Sequence, residues 1–528
     1  MTVDTYPVWG WARDPAEAPT VADLEAMSPL VAEHLGLPVQ PPERPAGLPE
    51  LPPDRVSSRM PAALAELSSA APLDRARHAL GRSYRDIVRG IRGQLDHVPD
   101  VVLRPLTEAH VAAALDWCAE ARVAVIPYSG GTSVVGGVEP AVGDGFAGVL
   151  SLDLELLAGV VEVDAVSRAA RVRAGTPGPR LEAELRPHGL TARFFPQSFE
   201  RSTVGGWVVT RAAGHFSTRL THIDDLVESV RAVTPAGVWE SRRLPGSGAG
   251  PSPDRLMLGS EGTLGVVTEM WLRVQPRPDH RWAATLGAPS FAAGAAAVRA
   301  LLHDGLLPAT CRLIDGTEAA TAGTLSTGEA ALVLGFESFG APVGPAADRA
   351  LELCGDAGLR VVEAGDRGGS GEAWRSSFVR APYVREQLIL LGLLVETFET
   401  AVTWDRLDRL VAEVTAATER ALAQVCGAGR VTCRLTHVYP DGAAPYFTVM
   451  APARRGSELS QWAEIKAAAS EALLTAGGTI THHHAVGRDH RRWYDAQRPD
   501  VFAAALAGAK AALDPAGILN PGVLLDPR

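Results

Sequence analysis

Residues 127–133 read Pro127-Tyr128-Ser129-Gly130-Gly131-Thr132-Ser133 and follow the apolar run Val-Ala-Val-Ile at 123–126. Paired glycines straight after a strand let backbone N–H groups converge on an anion and let the chain approach a ligand closely. The hydroxyls of Ser129, Thr132 and Ser133 add donors. Three more segments have the same character. One is Pro196-Gln197-Ser198-Phe199-Glu200-Arg201-Ser202, with Thr203 next. Another is Gly205-Gly206-Trp207 leading to Thr210-Arg211-Ala212-Ala213. The last is Gly259-Ser260-Glu261-Gly262-Thr263-Leu264-Gly265. Taken singly, each is also accounted for as a tight turn. No GxxxxGK[ST] occurs, and no GxGxxG follows a strand to open a helix, so a phosphate-bearing ligand would be held by neither a P-loop nor a Rossmann site.

Around these loops the chain alternates short apolar runs with helical periodicity. Strands are expected at 101–105, 123–127 and 148–154, a hairpin at 160–164 and 170–174, and a helix at 180–188. Thr107 is placed to cap a helix whose apolar side is Val111, Leu115 and Cys118. The pattern is α+β, not a regular βαβ repeat. After the proline-punctuated stretch 275–278 come long helical segments at 404–426 and 457–476, strands at 331–336 and 446–451, and a last helix at 501–513. The proline clusters of the first 95 residues read as an extended, wrapping region. The expected division is 1–95, 96–279, 280–475 and 476–528.

The 528 residues are 46% hydrophobic and 21% charged, an ordinary globular balance. Net charge is −11, with no basic stripe interleaved with aromatics, which speaks against a nucleic-acid binder. A polybasic membrane anchor is equally unsupported. Of the basic residues only Lys466 and Lys510 are lysine, an arginine bias expected of a high-GC, bacterial genome. Five cysteines without a CxxC argue against a disulfide framework or a cysteine zinc site. The first residues lack the pattern of a signal peptide. The longest strongly apolar run, 388–395, is too short to span a bilayer. The expectation is a soluble cytoplasmic protein.

Several polar residues invite chemistry. His482, His483 and His484 follow a segment that reads as a strand, which would put His482 and His484 on one side and His483 on the other. A structural cluster, metal ligation with His490 nearby, and acid–base or phosphate contact all remain open. Tyr446 sits in a strand, where an aromatic is usually core; Tyr439 is the nearest alternative tyrosine. Arg312 and Arg385 lie among apolar residues and suit either an ion pair or a phosphate.

The order of the four loops resembles the PCMH-type FAD-binding domain of the vanillyl-alcohol oxidase superfamily. Within it, the chain resembles the alkyldihydroxyacetonephosphate synthase family. The narrower signals are GRSYRDIVR (81–89), STVGGWVVTRAAG (202–214), IDDLV (223–227), ETFETAVTWD (396–405), the triple histidine and the terminal ILNPGVLL. Trp9-Gly10-Trp11 extends the likeness toward the start.

The resemblance implies an FAD domain of two α/β subdomains and a mixed α/β cap, with the last stretch of chain returning to the flavin. It implies that the four loops and Asn520 bind FAD. It places Tyr446, His482, His483, His484 and Arg312 in catalysis and Arg385 at the substrate phosphate, with no metal. Where relatives attach flavin covalently to a histidine in or beside the first loop, this chain has Ser129-Gly130-Gly131-Thr132, so non-covalent FAD is expected. Ala485 and Arg488 stand where the family has Gly and Lys. The implied reaction exchanges the acyl group of acyl-dihydroxyacetone phosphate for a fatty alcohol, redox-neutral, through an adduct at flavin N5. An FAD-dependent oxidase or dehydrogenase of a 2-hydroxy acid or alcohol is the alternative. Expected partners are a small-molecule or lipid substrate and a second copy of the chain, with peripheral membrane contact allowed for.

Overall fold

The computed structural model describes residues 10–11, 19–216, 218, 221–325, 328–365 and 383–526. Trp9, and Ala381 and Pro382 just before Arg385, lie outside the described residues.

Two large hydrophobic cores organise the chain. In the loop-bearing half, strands Val101–Leu103, Gly148–Asp153 and Val123–Tyr128 pair in parallel, with Ser68–Ser69 antiparallel at one edge. Parallel neighbours need a crossover, and helix Glu108–Ala121 connects Val101–Leu103 to Val123–Tyr128. Thr107 caps it by accepting the His110 N–H at 3.3 Å. Val111, Ala114, Leu115 and Cys118, at helical spacing, are its buried side. A second, antiparallel sheet runs in the order Val160–Asp164, Ala169–Arg173, Val266–Arg273, Val227–Thr234, Gly237–Glu240. The helix expected at 180–188 is Gly178–Leu185, tightening to a 3-10 turn over Arg186–His188.

The cap is one antiparallel sheet ordered Arg360–Gly365, His280–Ala288, Ala330–Ser338, Thr310–Ile314, Arg430–Tyr439, Gly442–Pro452, Leu393–Glu399, with Val402–Thr403 also paired to Gly442–Pro452. Helices Phe291–His303, Gly344–Asp356, Trp404–Cys426 and Glu458–Thr475 pack on it. Cys433, Leu435, Phe447, Val449 and Ala451 join Leu407, Leu410 and Val414 in the core. Because side chains alternate along a strand, the residues between them point the other way, toward the loops.

Segments from early and late in the sequence complete the cap and the loop-bearing half, respectively. Extended backbone near residue 40 bonds the cap, Gln40 N–H to the Leu391 carbonyl and Glu43 N–H to the Leu390 carbonyl, each at 2.8 Å. After helix Asp500–Leu513 the tail adds beside Val123–Tyr128: Val125 N–H reaches the Ile518 carbonyl at 2.8 Å and Asn520 N–H the Val125 carbonyl at 2.9 Å. Lys510, buried, fixes this return by donating to Asp514 and to the carbonyls of Thr263 and Leu519 at 2.8 and 2.7 Å. No helix of the described residues is long and apolar enough to cross a membrane.

One expectation fails. The segment leading into His482–His484 is not a strand but an irregular loop. The N–H groups of Thr479 and Ile480 go to the Ala401 carbonyl and the Gln497 side chain, and those of His482, His483 and His484 turn to a single carboxylate, so none is available to a strand ladder.

Candidate active site

The two halves face each other across a cavity of about 510 Å³. From the loop side it is lined by all of Pro127, Tyr128, Ser129, Gly130, Gly131, Thr132 and Ser133. Pro196, Gln197, Ser198, Ser202, Thr203, Gly205, Gly206, Thr210, Ala212, Ala213, Glu261, Gly262, Gly265 and Asn520 complete that wall. From the cap side come Arg312, Arg385, Tyr446, His483 and His484. Five expected contacts lie off the lining. Arg211 has a positive φ of 51° and turns its guanidinium outward to Asp224 at 2.8 Å. Gly259 faces Arg211, and Leu264 belongs to the core. Ser260 and Thr263 are buried, the Thr263 hydroxyl donating to the Ser260 carbonyl at 2.8 Å.

The glycines of the first loop are required by close approach. A Cβ on Gly130 would stand 2.3 Å from the Arg201 carbonyl oxygen, and one on Gly131, at φ 62°, would stand 2.0 Å from the Tyr128 hydroxyl. The first two loops therefore touch, and a Ser129–Thr203 hydroxyl contact of 2.6 Å links the first to the helix that follows the second. Among the described residues, the N–H groups of Gly130, Gly131 and Thr132 have no protein acceptor. Asn520 donates its amide to the carbonyls of Gly137 and Glu261 at 3.1 and 2.8 Å, leaving its buried Oδ1 unpartnered at the wall. Free N–H groups, hydroxyls and an unmatched amide oxygen form a donor and acceptor set suited to FAD, a phosphate-bearing ligand with a polar ring.

At the cap end the triple histidine wraps a buried carboxylate. Glu399 accepts the backbone N–H groups of His482, His483 and His484 at 2.6, 3.1 and 3.0 Å, and the Thr481 hydroxyl at 2.6 Å. Burial opposes its ionisation, but the flanking histidines and the Thr481 hydroxyl outweigh that and hold the carboxyl well below its usual range. Burial conversely pulls His483 down to about 3 and His484 to about 4, against the opposing pull of Glu399. His482, His437 and His222 are lowered too, chiefly by burial. At neutral pH the cluster is thus neutral imidazoles around one anion.

His483 and His484 reach the cavity; His482 stands behind them. Its Nδ1 lies 2.9 Å from His483 Nδ1, and its Nε2 lies 2.6 Å from the Tyr439 hydroxyl and 3.0 Å from His222 Nε2. The turn continues through Ala485, which keeps a positive φ of 71° without being glycine, a strain of about 1–2 kcal/mol. Arg488 retains a positive charge and uses it to hold the Pro521 carbonyl at 2.8 Å, bracing the tail.

Tyr446 is 4% exposed and lines the cavity, its ring 6.2 Å from His483 and 5.6 Å from His484 by centroid. The Arg434 guanidinium covers that ring at 4.2 Å and pairs with Glu318. Burial raises the Tyr446 phenol, with Arg434 opposing, so it stays protonated at neutral pH. Arg385 lines the cavity and donates to the Arg82 carbonyl. Arg312 is fully buried, bonding the carbonyls of Thr436 and His215 at 3.2 and 2.7 Å.

Sequence reading missed Glu399, Arg434, Arg430, His437 and His222. A signal existed for the arginines: Arg430, Thr432, Arg434 and Thr436 recur every second residue and all line the cavity. Donor atoms of His437, His482 and His483, and of Glu399, His483 and His484, lie within 4.8 Å of one another. The Glu399 oxygens and both His482 nitrogens are already hydrogen-bonded within the protein, so neither group presents a ready set of metal ligands.

Residues 99–241 match the FAD binding domain family, and residues 277–524 match the C-terminal domain of FAD linked oxidases. The chain is 30% identical over 476 residues to an alkyldihydroxyacetonephosphate synthase of Caenorhabditis elegans, covering 84% of this chain and 79% of that protein. It is 27% identical over 481 residues to the same enzyme of Dictyostelium discoideum, covering 86% and 77%. A solved alkyldihydroxyacetonephosphate synthase structure superposes with a TM-score of 0.78 at 24% identity, over 94% of this chain and 91% of that one, which shows a shared fold.

Proposed function

Because the chain belongs to the alkyldihydroxyacetonephosphate synthase family, we propose that it exchanges the acyl group of acyl-dihydroxyacetone phosphate for a fatty alcohol, forming an ether bond without net redox change. FAD is the cofactor. Its non-covalent attachment is part of the proposal and rests on Ser129-Gly130-Gly131-Thr132, which offers no histidine. When bound, the flavin supplies a nitrogen nucleophile for the ketone carbon of the substrate.

The observation that carries the reading is that Tyr446 shares one cavity with the FAD loops, with His483 and His484 against its ring. A protonated phenol beside neutral imidazoles is equipped to give and accept protons at the substrate carbon and the attacking alcohol. Arg385 supplies a guanidinium for the phosphate. Val384, Leu388, Val395 and Met450 form an apolar stretch of wall that fits an alkyl chain. Leaving and entering chains then use the same apolar surface in turn.

The test is anaerobic incubation of the holoprotein with acyl-dihydroxyacetone phosphate and a fatty alcohol, reading ether product and released fatty acid by mass spectrometry. Ether formation in step with acid release is the expected result. Steady reduction of oxygen or a dye with stoichiometric oxidation of a hydroxy acid or alcohol would replace this reading with the oxidoreductase one.

A further inference from the structure

Arg434 on strand Arg430–Tyr439 and Tyr446 on strand Gly442–Pro452 stand directly opposite each other. The guanidinium carbon of Arg434 lies 4.2 Å from the centre of the Tyr446 ring. A cation at that distance is drawn to an aromatic face, and more strongly where water is excluded. Here Tyr446 is buried and the Arg434 side chain is 12% exposed. The guanidinium is also held from a second element. Its Nη1 donates to one oxygen of Glu318, and the other oxygen accepts the Thr432 hydroxyl at 3.2 Å. Glu318 is fixed in turn. Asp315 caps helix Gly316–Thr321 by accepting the Glu318 N–H at 2.7 Å, and it also accepts the N–H of Cys433, the neighbour of Arg434. The ion pair presents its cation to the ring. Of the other charges around Tyr446, Arg385 acts in the same direction as Arg434 and Glu399 against it, while His483 and His484 are neutral at neutral pH.

We propose that Arg434, held by Glu318, is a positioning residue that fixes the Tyr446 ring and stabilises the phenolate formed there during turnover. The assignment rests on the synthase reading for the proton transfers that create this charge. In the exchange, Tyr446 gives its phenolic proton to the acyl oxygen as the carbon–oxygen bond to the acyl group breaks. The bonding pair leaves with that oxygen, and the fatty acid departs. The alcohol oxygen supplies the pair for the new carbon–oxygen bond, and the phenolate takes the alcohol's proton. Tyr446 gives one proton and receives one, and no atom is oxidised or reduced. Between the two transfers the ring carries a negative charge, spread over the face that Arg434 covers. A flat guanidinium can lie over a ring and still keep its edge N–H groups for a carboxylate, which a compact ammonium does less well. That is the reason for an arginine, and for a carboxylate to hold it, at a wall that could have been apolar.

The double variant Arg434→Met with Glu318→Gln removes both charges, so that no buried carboxylate is left unpaired. Arg434→Lys keeps the charge and loses the flat group. In the synthase assay the double variant should lose roughly tenfold in kcat with KM unchanged, and Arg434→Lys should lie between it and the parent. Bound FAD, read from its absorbance, should be equal in all three. A double variant with parental kcat would overturn the proposal. A second readout needs no turnover. Difluorotyrosine in place of Tyr446 has a more acidic phenol, and fluorine NMR of the holoprotein follows its ionisation. That phenol should ionise at higher pH in the double variant than in the parent, with Arg434→Lys between, so the comparison survives a double variant that does not fold. The more acidic phenol should also restore part of the kcat lost in the variants, which a purely structural role for Arg434 would not allow. Ionisation that depends on Arg434, with no ether product from the parent, would sink the synthase reading and leave the stabilised phenolate standing. Ionisation at the same pH in all three proteins would sink the proposal whatever the product.

Discussion

Glu399 Oε1 accepts the backbone N–H of His484 at 3.0 Å. The bond spans 85 residues of sequence, and with the parallel bonds from His482 and His483 it sets the shape of the whole histidine loop. Glu399→Gln would turn an amide donor toward those N–H groups. We expect a loss of about 1–3 kcal/mol of stability and turnover well below the parent, measured by urea unfolding and the synthase assay. A variant as stable and active as the parent would mean that the loop is shaped by other contacts.

The same cluster predicts acid sensitivity. His483 and His484, held near 3 and 4, have an unfolded value of about 6.5. Between about pH 6.5 and 4 the unfolded chain therefore binds more protons, and stability falls as pH falls. Below that window Glu399 adds to the loss as it is protonated through its own lowered value. Urea midpoints should drop steadily from pH 7 to 5. A flat profile would contradict the burial of these imidazoles.

Tyr446→Phe keeps the ring under Arg434 and removes only the hydroxyl. Folding and FAD content should be unchanged and turnover should fall by ~10²–10⁴-fold. Full activity would move the proton chemistry elsewhere.

Arg385→Ala removes a half-buried guanidinium from the cavity wall. Losing a charge-assisted contact there costs about 2–5 kcal/mol, or roughly thirtyfold or more in substrate affinity, with FAD binding preserved. Titration of dihydroxyacetone phosphate into the variant and parent distinguishes this from a general loss of structure; equal affinity would take Arg385 out of the phosphate site.

The purified protein should be yellow, and acid or heat should release intact FAD into the supernatant. Flavin that stays with the precipitate would reveal a covalent link. Treatment with a chelator should leave turnover unchanged, since the Glu399 and His482 donor atoms are already hydrogen-bonded; inhibition reversed by a metal would restore the ligand reading.

Local signals carried much of this architecture. Helix Trp404–Cys426 begins and ends where its periodicity and the following Gly427 indicate. Strand Val123–Tyr128 and its glycine turn were legible for the same reason. The histidine loop was not, because its conformation depends on Glu399, a residue distant in sequence. Arg211 and Leu264 show the converse limit: a turn alternates inward and outward positions, and a motif marks its whole length without separating them. Arg434 was overlooked because an arginine on an alternating strand ordinarily faces water, and here that face is roofed by the other half of the molecule.

Asn520, which closes the wall between Gly137 and Glu261, lies 383 and 259 residues beyond them in the sequence. Ile518, Leu519 and Val523 also enter the core of the loop-bearing half. Domains fold in order of their emergence from the ribosome, but this one is still missing a strand partner and a wall when its own sheets and the entire cap have emerged. The cofactor wall is therefore complete only once residue 520 has been made, and a chain stalled before Asn520 would lack the amide that joins Gly137 to Glu261.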